Sequence, residues 1–175
     1  MIIDRSSLTR RDFLTASAGL VAGLPLASAL RADEAGPVTA AHRSALSKSP
    51  LVYVSPLKSD GSESSCHAEV WFVADGDDAL VVTSVESWKS ASLKKGLNRV
   101  RLWIGDHGVW TTSDGAFRSS PTVLAGARFD PGAAEATLAK FGEKYPEAWD
   151  KWGPRFKDGL ADGSRVLIRY SPVGA

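Results

Sequence analysis

Residues 66–83 read CHAEVWFVADGDDALVVT, and this stretch decides the fold. Residues 66–74 begin with polar–apolar alternation and are rich in β-branched and aromatic side chains, which predicts a strand. Residues 75–78 contain an Asp-Gly pair typical of a tight turn, and residues 79–83 form a second apolar run. Two such runs joined by an Asp-Gly turn predict a β-hairpin, and with it an antiparallel sheet.

Further strand and helix signals surround this hairpin. The other strand segments are short, β-branched or alternating, and most are bounded by Gly or Pro turn residues. The predicted strands outside the hairpin are 51–57, 99–104, its partner 109–112, 121–129 and 165–170. Helices are predicted at 84–95, from the Asp130-Pro131 start signal to near Gly142, and as a helical turn at 145–152. Six or seven strands joined mostly by tight turns, with short helices, predict a small antiparallel β-barrel in an α+β arrangement.

The composition excludes several function classes. The chain has 175 residues, a formal charge of +1, 43% hydrophobic residues and one cysteine. Its length suits one domain with a tail. A charge so near zero argues against electrostatic binding to nucleic acid or to an anionic membrane. One cysteine excludes an intramolecular disulfide framework and a Cys-based zinc cage.

The first 32 residues have the layout of an export signal. Residues 9–14 read TRRDFL, and a mildly apolar run at 16–24 is followed by Pro25 and the small residues 27–29. A basic start, a short apolar middle and an Ala-x-Ala site are the parts of such a signal. Adjacent arginines followed by Phe and Leu resemble the twin-arginine motif. The apolar run is about half the roughly 20 residues of a membrane-spanning helix, so no permanent anchor is expected.

Removal of this signal defines the expected mature protein. Cleavage is expected after Ala29 or Ala32, and residues 1–32 hold four Arg and two Asp, so the second site would leave a formal charge near −1. Residues 33–49 are small and polar and predict a linker or a loosely held first helix. Residues 50–175 are the expected domain. The expected location is the periplasm or another compartment reached by the twin-arginine route, with its export machinery as a partner. Because that route carries folded proteins, often with a cofactor already inserted, the chain is a candidate cofactor protein.

Residues 82–89, which read VTSVESWK, carry the strongest chemical signal. They offer three hydroxyls and the Lys89 ammonium where a strand passes into a helix. Free N–H groups of a first helical turn, hydroxyl donors and a cation together suit a phosphate. The same pattern is also compatible with a capped surface helix that binds no ligand.

The order of these features resembles the pyridoxamine 5′-phosphate oxidase-like flavoproteins, which are split β-barrels that bind FMN. The resemblance covers about residues 48–172 and rests on the hairpin, the Thr-x-x-x-Ser-x-Lys pattern at 83–89 and the NRVRL stretch at 98–102. It implies a split β-barrel of about six to seven strands with short flanking helices, a homodimer with the flavin at the subunit interface, and an oxidoreductase of unknown substrate. Related families bind a deazaflavin or haem on the same barrel, so both stay alternatives. A non-catalytic envelope binding protein that has lost its cofactor is a further alternative.

The resemblance assigns eight residues to the cofactor site. Thr83, Ser87 and Lys89 fall on positions that hold the FMN phosphate, and residues 67–70 fall on a strand whose backbone lies along the isoalloxazine ring. Trp88 replaces an Arg of the oxidase pattern, and an indole cannot make a bidentate phosphate contact, which argues against pyridoxamine phosphate oxidation. The expected cofactor-binding residues are His67, Ala68, Glu69, Val70, Thr83, Ser87, Trp88 and Lys89.

No residue is assigned as a general acid or base, because a bound flavin itself performs the redox step. His67 and His107 are the histidines of the expected domain, and His107 lies in a Gly-Asp-His-Gly turn. His67 is expected to be a structural residue, a flavin contact or a haem ligand. Trp71 is expected either near the flavin ring or inside the barrel. Residues 75–78 lack the spacing and the final Glu of a calcium loop, so no metal site is expected.

Overall fold

The computed structural model describes residues 37–174. The export signal predicted for residues 1–32 lies outside this range and stays a prediction. Residues 33–49, with their predicted linker or first helix, include helix α1 (Ala40–Lys48), whose Leu46 is buried in the core. Within the described range, no helix has the length and apolar character needed to cross a membrane.

The described part contains seven strands and four α-helices. The strands are β1 (Leu51–Pro56), β2 (Ala68–Trp71), β3 (Val73–Asp75), β4 (Asp78–Ser84), β5 (Arg99–Gly105), β6 (Thr122–Phe129) and β7 (Arg165–Pro172). The helices after α1 are α2 (Trp88–Lys94), α3 (Ala134–Lys144) and α4 (Pro146–Asp162), with 3₁₀ turns at Ala116–Ser119 and Pro131–Ala133.

One antiparallel sheet holds all seven strands in the order β2-β1-β5-β6-β7-β4-β3. Its two edge strands, β2 and β3, are separated in the sequence only by Phe72. The same stretch of chain therefore joins both edges, and the sheet curls into a nearly closed barrel. The predicted α+β split β-barrel is confirmed.

The predicted hairpin is confirmed at its turn but not along its whole first strand. Asp75 lies opposite Asp78, and Gly76 has the positive φ of +62° that this turn requires. The predicted strand 66–74, however, begins at Ala68 and breaks at Phe72, after which β3 pairs with β4 while β2 pairs with β1.

The Tyr145 hydroxyl satisfies the backbone at this break. It accepts a hydrogen bond from the Phe72 N–H at 3.0 Å, and it lies 2.8 Å from the Phe72 carbonyl oxygen and 2.9 Å from that of Pro50. A hydroxyl has one proton, so it can donate to one of these two carbonyls at a time. Tyr145 thus replaces ladder hydrogen bonds that the interrupted strand cannot make.

Apolar side chains are buried on both faces of the sheet. The barrel interior includes Val52, Val54, Phe72, Val81, Leu102, Ile104, Ile168 and Tyr170. On the outer face, α3 and α4 cover β3, β4 and β7 through Val73, Leu80, Val82, Phe141, Phe156 and Leu167. A third cluster, of Tyr53, Trp103 and Phe117, lies outside the barrel on β1 and β5.

The predicted strand 109–112 is wrong. Its backbone donors go to other groups, because Thr112 N–H bonds to the Val109 carbonyl in a turn and Trp110 N–H bonds to the Glu69 carboxylate at 3.1 Å. The partners of β5 are instead β1 and β6. A local apolar run followed by threonines could not reveal that its N–H groups were used by a side chain 41 residues earlier.

The helices differ from prediction at their ends. α2 begins at Trp88 rather than Ser84, because residues 85–87 form a turn with Ser87 as the N-cap. Asp130 does not cap a helix, since its carboxylate instead accepts a hydrogen bond from Arg169 Nε at 2.6 Å.

Helix α4 runs for 17 residues and includes Pro154, whereas the sequence predicted a short helical turn. An interior proline costs about 3 kcal/mol of helix propensity. Trp149, Trp152 and Phe156 all join the outer-face cluster, and their burial offsets that penalty.

Gly142 is a packing residue rather than the predicted helix end. A Cβ atom there would lie 2.9 Å from the Trp149 ring, and one at Gly153 would lie 2.8 Å from the same ring. The two glycines therefore let α3 and α4 close around one indole, and α3 continues past Gly142 to Lys144.

Candidate functional site

A groove opens where the barrel is split. β4 pairs with β3 only as far as Leu80, so among the described strands residues 81–84 have β7 as their single neighbour. The groove has a volume of about 490 Å³, within the roughly 300–1,000 Å³ typical of small-molecule sites. We call it the split groove; its lining residues are Leu51, Glu69, Val70, Trp71, Val82, Thr83, Trp152, Phe156 and Arg165.

Aromatic rings form one wall of the split groove. Trp71 stacks on Tyr145 with ring centres 4.6 Å apart and planes 7° apart, and it meets Trp152 edge-on at 6.1 Å. Trp152 in turn contacts Phe156 at 6.1 Å. Trp71 belongs to the outer-face cluster, so of its two expected positions the one inside the barrel is wrong.

Two hydroxyls meet beside the groove. Thr83 is 7% exposed, and its Oγ1 donates a hydrogen bond to Ser87 Oγ at 3.2 Å. Ser87 Oγ also accepts from the Ser90 N–H at 3.3 Å, as expected of an N-cap. Within residues 37–174 the Ser87 hydroxyl proton has no acceptor, so Ser87 has a donor to offer.

α2 has only seven residues, so the side chains rather than its terminus determine what this region can bind. The capped helix expected as the alternative is present. The cap does not use the Ser87 proton or the Lys89 ammonium, so both remain available to a ligand.

Lys89 and Glu69 influence each other electrostatically. Burial lowers the pKa of Lys89, and the negative charge of Glu69 acts in the opposite direction. Lys89 Nζ lies 4.9 Å from the centre of the Trp88 ring. The Glu69 carboxylate accepts the Trp110 N–H, and it makes no ion pair within the described residues. Lys89 is therefore a partly desolvated cation that an anion would stabilise.

Arg165 contributes a second cation. It stands opposite Ser84 in the β4–β7 register, and its guanidinium carbon lies 5.3 Å from the centre of the Phe156 ring. It forms no ion pair with any carboxylate of residues 37–174. The lining of the split groove thus combines an aromatic wall with Thr83 and Arg165, whereas Ser87 and Lys89 lie outside the lining.

The structure brings most of the sequence-predicted residues together. Glu69, Val70 and Thr83 line the split groove, Ser87 is hydrogen-bonded to Thr83, and Lys89 is within electrostatic reach of Glu69.

Ala68 and Trp88 do not line the groove. Ala68 is half-buried and pairs with Val54 of β1. Trp88 packs against the barrel core, as does Leu93 of the same helix. This packing explains why the residue at position 88 is aromatic.

His67 lies apart from the groove, in an aromatic cluster. Its ring centre is 5.2 Å from Trp110 and 5.8 Å from Phe117, and its Nε2 is 3.4 Å from an Arg118 nitrogen. Burial lowers the pKa of His67, and Arg118 adds to this effect. Nδ1 is buried and has no hydrogen-bond partner in the described part of the chain. Within that part, no three His, Cys, Asp or Glu side chains are grouped so as to hold a metal ion.

Five lining residues were missed by the sequence reasoning: Leu51, Val82, Trp152, Phe156 and Arg165. Trp152 and Phe156 are four residues apart on one helix, a spacing that places them on one face. Arg165 had no local signal, because it begins an alternating strand that also contains Arg169.

Comparison with known proteins supports the fold. No family model and no curated protein matches the chain. Among solved structures, it is similar to HutZ, the heme storage protein from Vibrio cholerae, with 16% identity, 76% of this chain and 88% of that chain covered, and a TM-score of 0.51. It is also similar to a putative 5-nitroimidazole antibiotic resistance protein from Bacteroides thetaiotaomicron VPI-5482, with 13% identity, coverages of 81% and 83%, and a TM-score of 0.52.

A putative pyridoxamine 5′-phosphate oxidase from Listeria innocua shows 15% identity, coverages of 74% and 89%, and a TM-score of 0.47. The structural neighbours are split β-barrels of the pyridoxamine 5′-phosphate oxidase-like type. At these identities the likeness concerns the fold alone.

Proposed function

We propose that this protein binds FMN in the split groove and acts as an oxidoreductase on a substrate not yet known. Thr83, Ser87 and Lys89 would hold the phosphate, and the aromatic wall would contact the ring system. The observation that carries this proposal is an aromatic groove at the split of this barrel that Thr83 and Arg165 also line, with the Ser87 hydroxyl hydrogen-bonded to Thr83.

The donor set fits a phosphorylated flavin. A phosphate accepts several hydrogen bonds and carries up to two negative charges, which match the Ser87 hydroxyl, Lys89 and Arg165. The indole and phenyl faces of Trp71, Trp152 and Phe156 offer apolar surface to a planar ring. A groove of about 490 Å³ has room for such a ligand.

Chemically, a bound flavin supplies the electron transfer itself. The chain's own residues would bind the flavin, orient it and shield it from water. Thr83 positions the Ser87 hydroxyl through their hydrogen bond. An anion beside Lys89 would raise its pKa back toward the ordinary value, which secures the charged form that holds the anion. The aromatic wall would exclude water from one face of the ring.

Haem is the second candidate. His67 has a lowered pKa, which favours the neutral imidazole that binds iron, and its Nδ1 has no partner in the described residues. HutZ, one of the structural neighbours, is a heme storage protein. A deazaflavin is a further alternative for the split groove. The visible absorption spectrum separates the three groups.

The test is an equilibrium titration of the full chain with FMN, followed by flavin fluorescence. We expect a dissociation constant in the micromolar range or below. Ser87→Ala and Lys89→Met should each weaken binding by about 1–3 kcal/mol, the cost of a charged hydrogen bond left unmade. Lys94→Met is the matched control, because Lys94 is an exposed lysine of the same helix, and it should leave the affinity unchanged.

Absence of FMN binding would remove the leading function. A Soret band that is lost in His67→Ala would support haem instead. A protein that binds neither group would be a cofactor-free binding protein. Equal FMN affinities for the Ser87 and Lys89 variants and the control would contradict the phosphate assignment even if FMN binds.

We also propose that the protein works as an exported homodimer. The twin-arginine pattern of residues 9–14 supports export, and the resemblance stated above supports the dimer. Cell fractionation of the full chain and of a variant with Arg10 and Arg11 changed to Lys tests the first part. Sedimentation with and without FMN tests the second.

A further inference from the structure

We infer that Arg165 makes the split groove select a phosphorylated flavin over an unphosphorylated one, supplying the guanidinium contact that Trp88 cannot supply. This inference rests on the proposed function and assigns a specificity-determining role to one residue. It predicts that FMN binds more tightly than riboflavin and that Arg165 carries a large share of the difference.

The strand register places Arg165 next to Ser84, at the end of the β4–β7 ladder. Thr83 lies opposite Val166, so its side chain leaves β4 on the other face of the sheet, and it is the groove at the split that both Thr83 and Arg165 reach. The Val85 N–H also bonds to the Ser164 carbonyl at 2.9 Å, so the turn that leads to Ser87 is tied to the start of β7.

Arg165 has no counter-ion in the described part of the chain, a property that it shares with the exposed Arg155. Arg43, Arg118 and Arg169 each contact a carboxylate at 2.8 Å or less. Among residues 37–174 the guanidinium of Arg165 contacts the Phe156 ring at 5.3 Å, a cation–π contact that leaves the guanidinium edge free for hydrogen bonds. A guanidinium edge matches the oxygens of a phosphate in a bidentate geometry.

The stem of Arg165 occupies space that a glycine provides. A Cβ atom at Gly159, which is buried in α4, would lie 2.7 Å from both Cγ and Cδ of Arg165. Glycine inside a helix costs about 1 kcal/mol relative to alanine. Because Gly159 has no side chain, the aliphatic stem of Arg165 can lie against α4, and this contact fixes the direction in which the Arg165 side chain leaves β7.

Glu69 disfavours an anion placed beside its own carboxylate. This carboxylate also lines the groove and has no ion pair within residues 37–174. Lys89 lies within electrostatic reach of Glu69 and offsets part of the repulsion that a phosphate would meet. We therefore expect the phosphate to lie closer to Lys89, Thr83 and Arg165 than to Glu69.

The experiment compares FMN and riboflavin, which differ only by the phosphate. Titrate the full chain and its Arg165→Met and Arg165→Lys variants with each ligand. We expect Arg165→Met to weaken FMN binding about 10- to 100-fold, the size of a charged hydrogen bond, while riboflavin affinity stays within about twofold. Arg165→Lys keeps the charge but not the bidentate edge, so its FMN loss should be intermediate.

Arg155→Met is the matched control. Arg155 is an exposed arginine on α4 whose guanidinium carbon lies 5.1 Å from the Trp152 ring, and it does not line the groove. We expect no change in either affinity. Thermal unfolding of every variant checks folding, and Arg165→Lys decides the question if Arg165→Met does not fold.

The outcomes separate this inference from the proposed function. If the unchanged chain binds neither ligand, both the proposed function and this inference are overturned. If the unchanged chain and both Arg165 variants bind FMN equally well, this inference alone is overturned. Equal losses for FMN and riboflavin would show that Arg165 shapes the groove rather than contacts the phosphate, and would also overturn it.

Discussion

Two arginines on strand β7 differ in whether carboxylates neutralise them. Arg165 and Arg169 are four residues apart, so their side chains leave the strand on the same face. Arg169 is 9% exposed and contacts three carboxylates, those of Asp75, Asp78 and Asp130. Arg165 contacts no carboxylate in the described residues. The difference distinguishes a structural cation, already neutralised, from one that is available to a ligand.

The Arg169 network ties the hairpin to the segment before α3. Burial acts to lower the pKa of Arg169, but the hydrogen bonds to the three carboxylates outweigh it and raise that pKa above the ordinary value. Arg169 Nη1 lies 2.8 Å from both Asp75 and Asp78, which flank the turn, and Nε lies 2.6 Å from Asp130. The acidic turn is therefore a structural clamp.

The largest expected effect is that of Arg169→Met on stability. The substitution removes the cation that three carboxylates share, although Asp75 keeps Lys140 as a partner, so we expect the free energy of unfolding to fall by about 3 kcal/mol. Urea denaturation at pH 7 measures it. Arg165→Met is the internal comparison, and it should change the free energy of unfolding by no more than about 1 kcal/mol, since it loses one cation–π contact. Equal losses in the free energy of unfolding for Arg169→Met and Arg165→Met would contradict the proposed difference between the two arginines.

The stability gap between the unchanged chain and Arg169→Met should narrow in acid. Hydrogen bonds from Lys140 and then Arg169 hold the pKa of Asp75 below its usual range. A depressed carboxyl pKa contributes stability above the unfolded-state pKa and loses it as the pH falls through the folded-state pKa. Urea melts between pH 5 and pH 3 should show this narrowing. A gap that widens in acid would mean that the carboxylates do not depend on Arg169.

Lys144 is another cation without a carboxylate partner among the described residues, and it sharpens the comparison because its ammonium lies over the Phe72 ring, outside the split groove. Its Nζ lies 3.5 Å from the centre of the Phe72 ring and has no hydrogen-bond partner in the described residues. Burial lowers the pKa of Lys144 to about 8. The unfolded chain therefore binds more protons between about pH 8 and the unperturbed lysine pKa of about 10.4, and this group's contribution to stability should rise with pH over that interval.

Lys144→Met tests this expectation. It should leave the free energy of unfolding unchanged or raise it by about 1 kcal/mol at pH 7, because an unsatisfied ammonium is removed. It should also abolish the rise above pH 8. Lys140→Met serves as the control that keeps the rise, since Lys140 is paired with Asp75 at 2.8 Å. If the rise persists in Lys144→Met, another group causes it and the assignment to Lys144 is wrong.

A small effect on ligand selection is expected of Gly159→Ala. The added methyl group would displace the Arg165 stem while the guanidinium is retained, so FMN affinity should fall about threefold to tenfold, near 1 kcal/mol, with riboflavin affinity unchanged. Gly153→Ala is the matched control, since a Cβ there meets Trp149 instead of Arg165. FMN affinity that falls equally in both variants would point to a general disturbance of α4.

The barrel was predictable from the sequence because its signals are local. The Asp75-Gly76 turn, the β-branched runs and the alternating last strand each depend on neighbouring residues. The break at Phe72 was not predictable, because its hydrogen bonds come from Tyr145, 73 residues later. The full length of α4 was hidden by Pro154, since the packing that outweighs the proline is tertiary.

The candidate site was predictable only in part. Thr83, Ser87 and Lys89 follow a recognisable spacing, and the structure places Thr83 and Ser87 in contact. Arg165 and Arg169 occupy equivalent places in the same alternating pattern, so the strand sequence cannot say which of them is neutralised. The three aspartates that decide this come from the hairpin and from the start of the α3 region, far from β7 in the sequence.

A crystal structure of the full chain with FMN tests the central claim most directly. We expect the phosphate in the split groove, within hydrogen-bond distance of the Ser87 hydroxyl and the Arg165 guanidinium, with Arg169 still bound to its three aspartates. A flavin whose phosphate contacts neither Ser87 nor Arg165 would contradict the account.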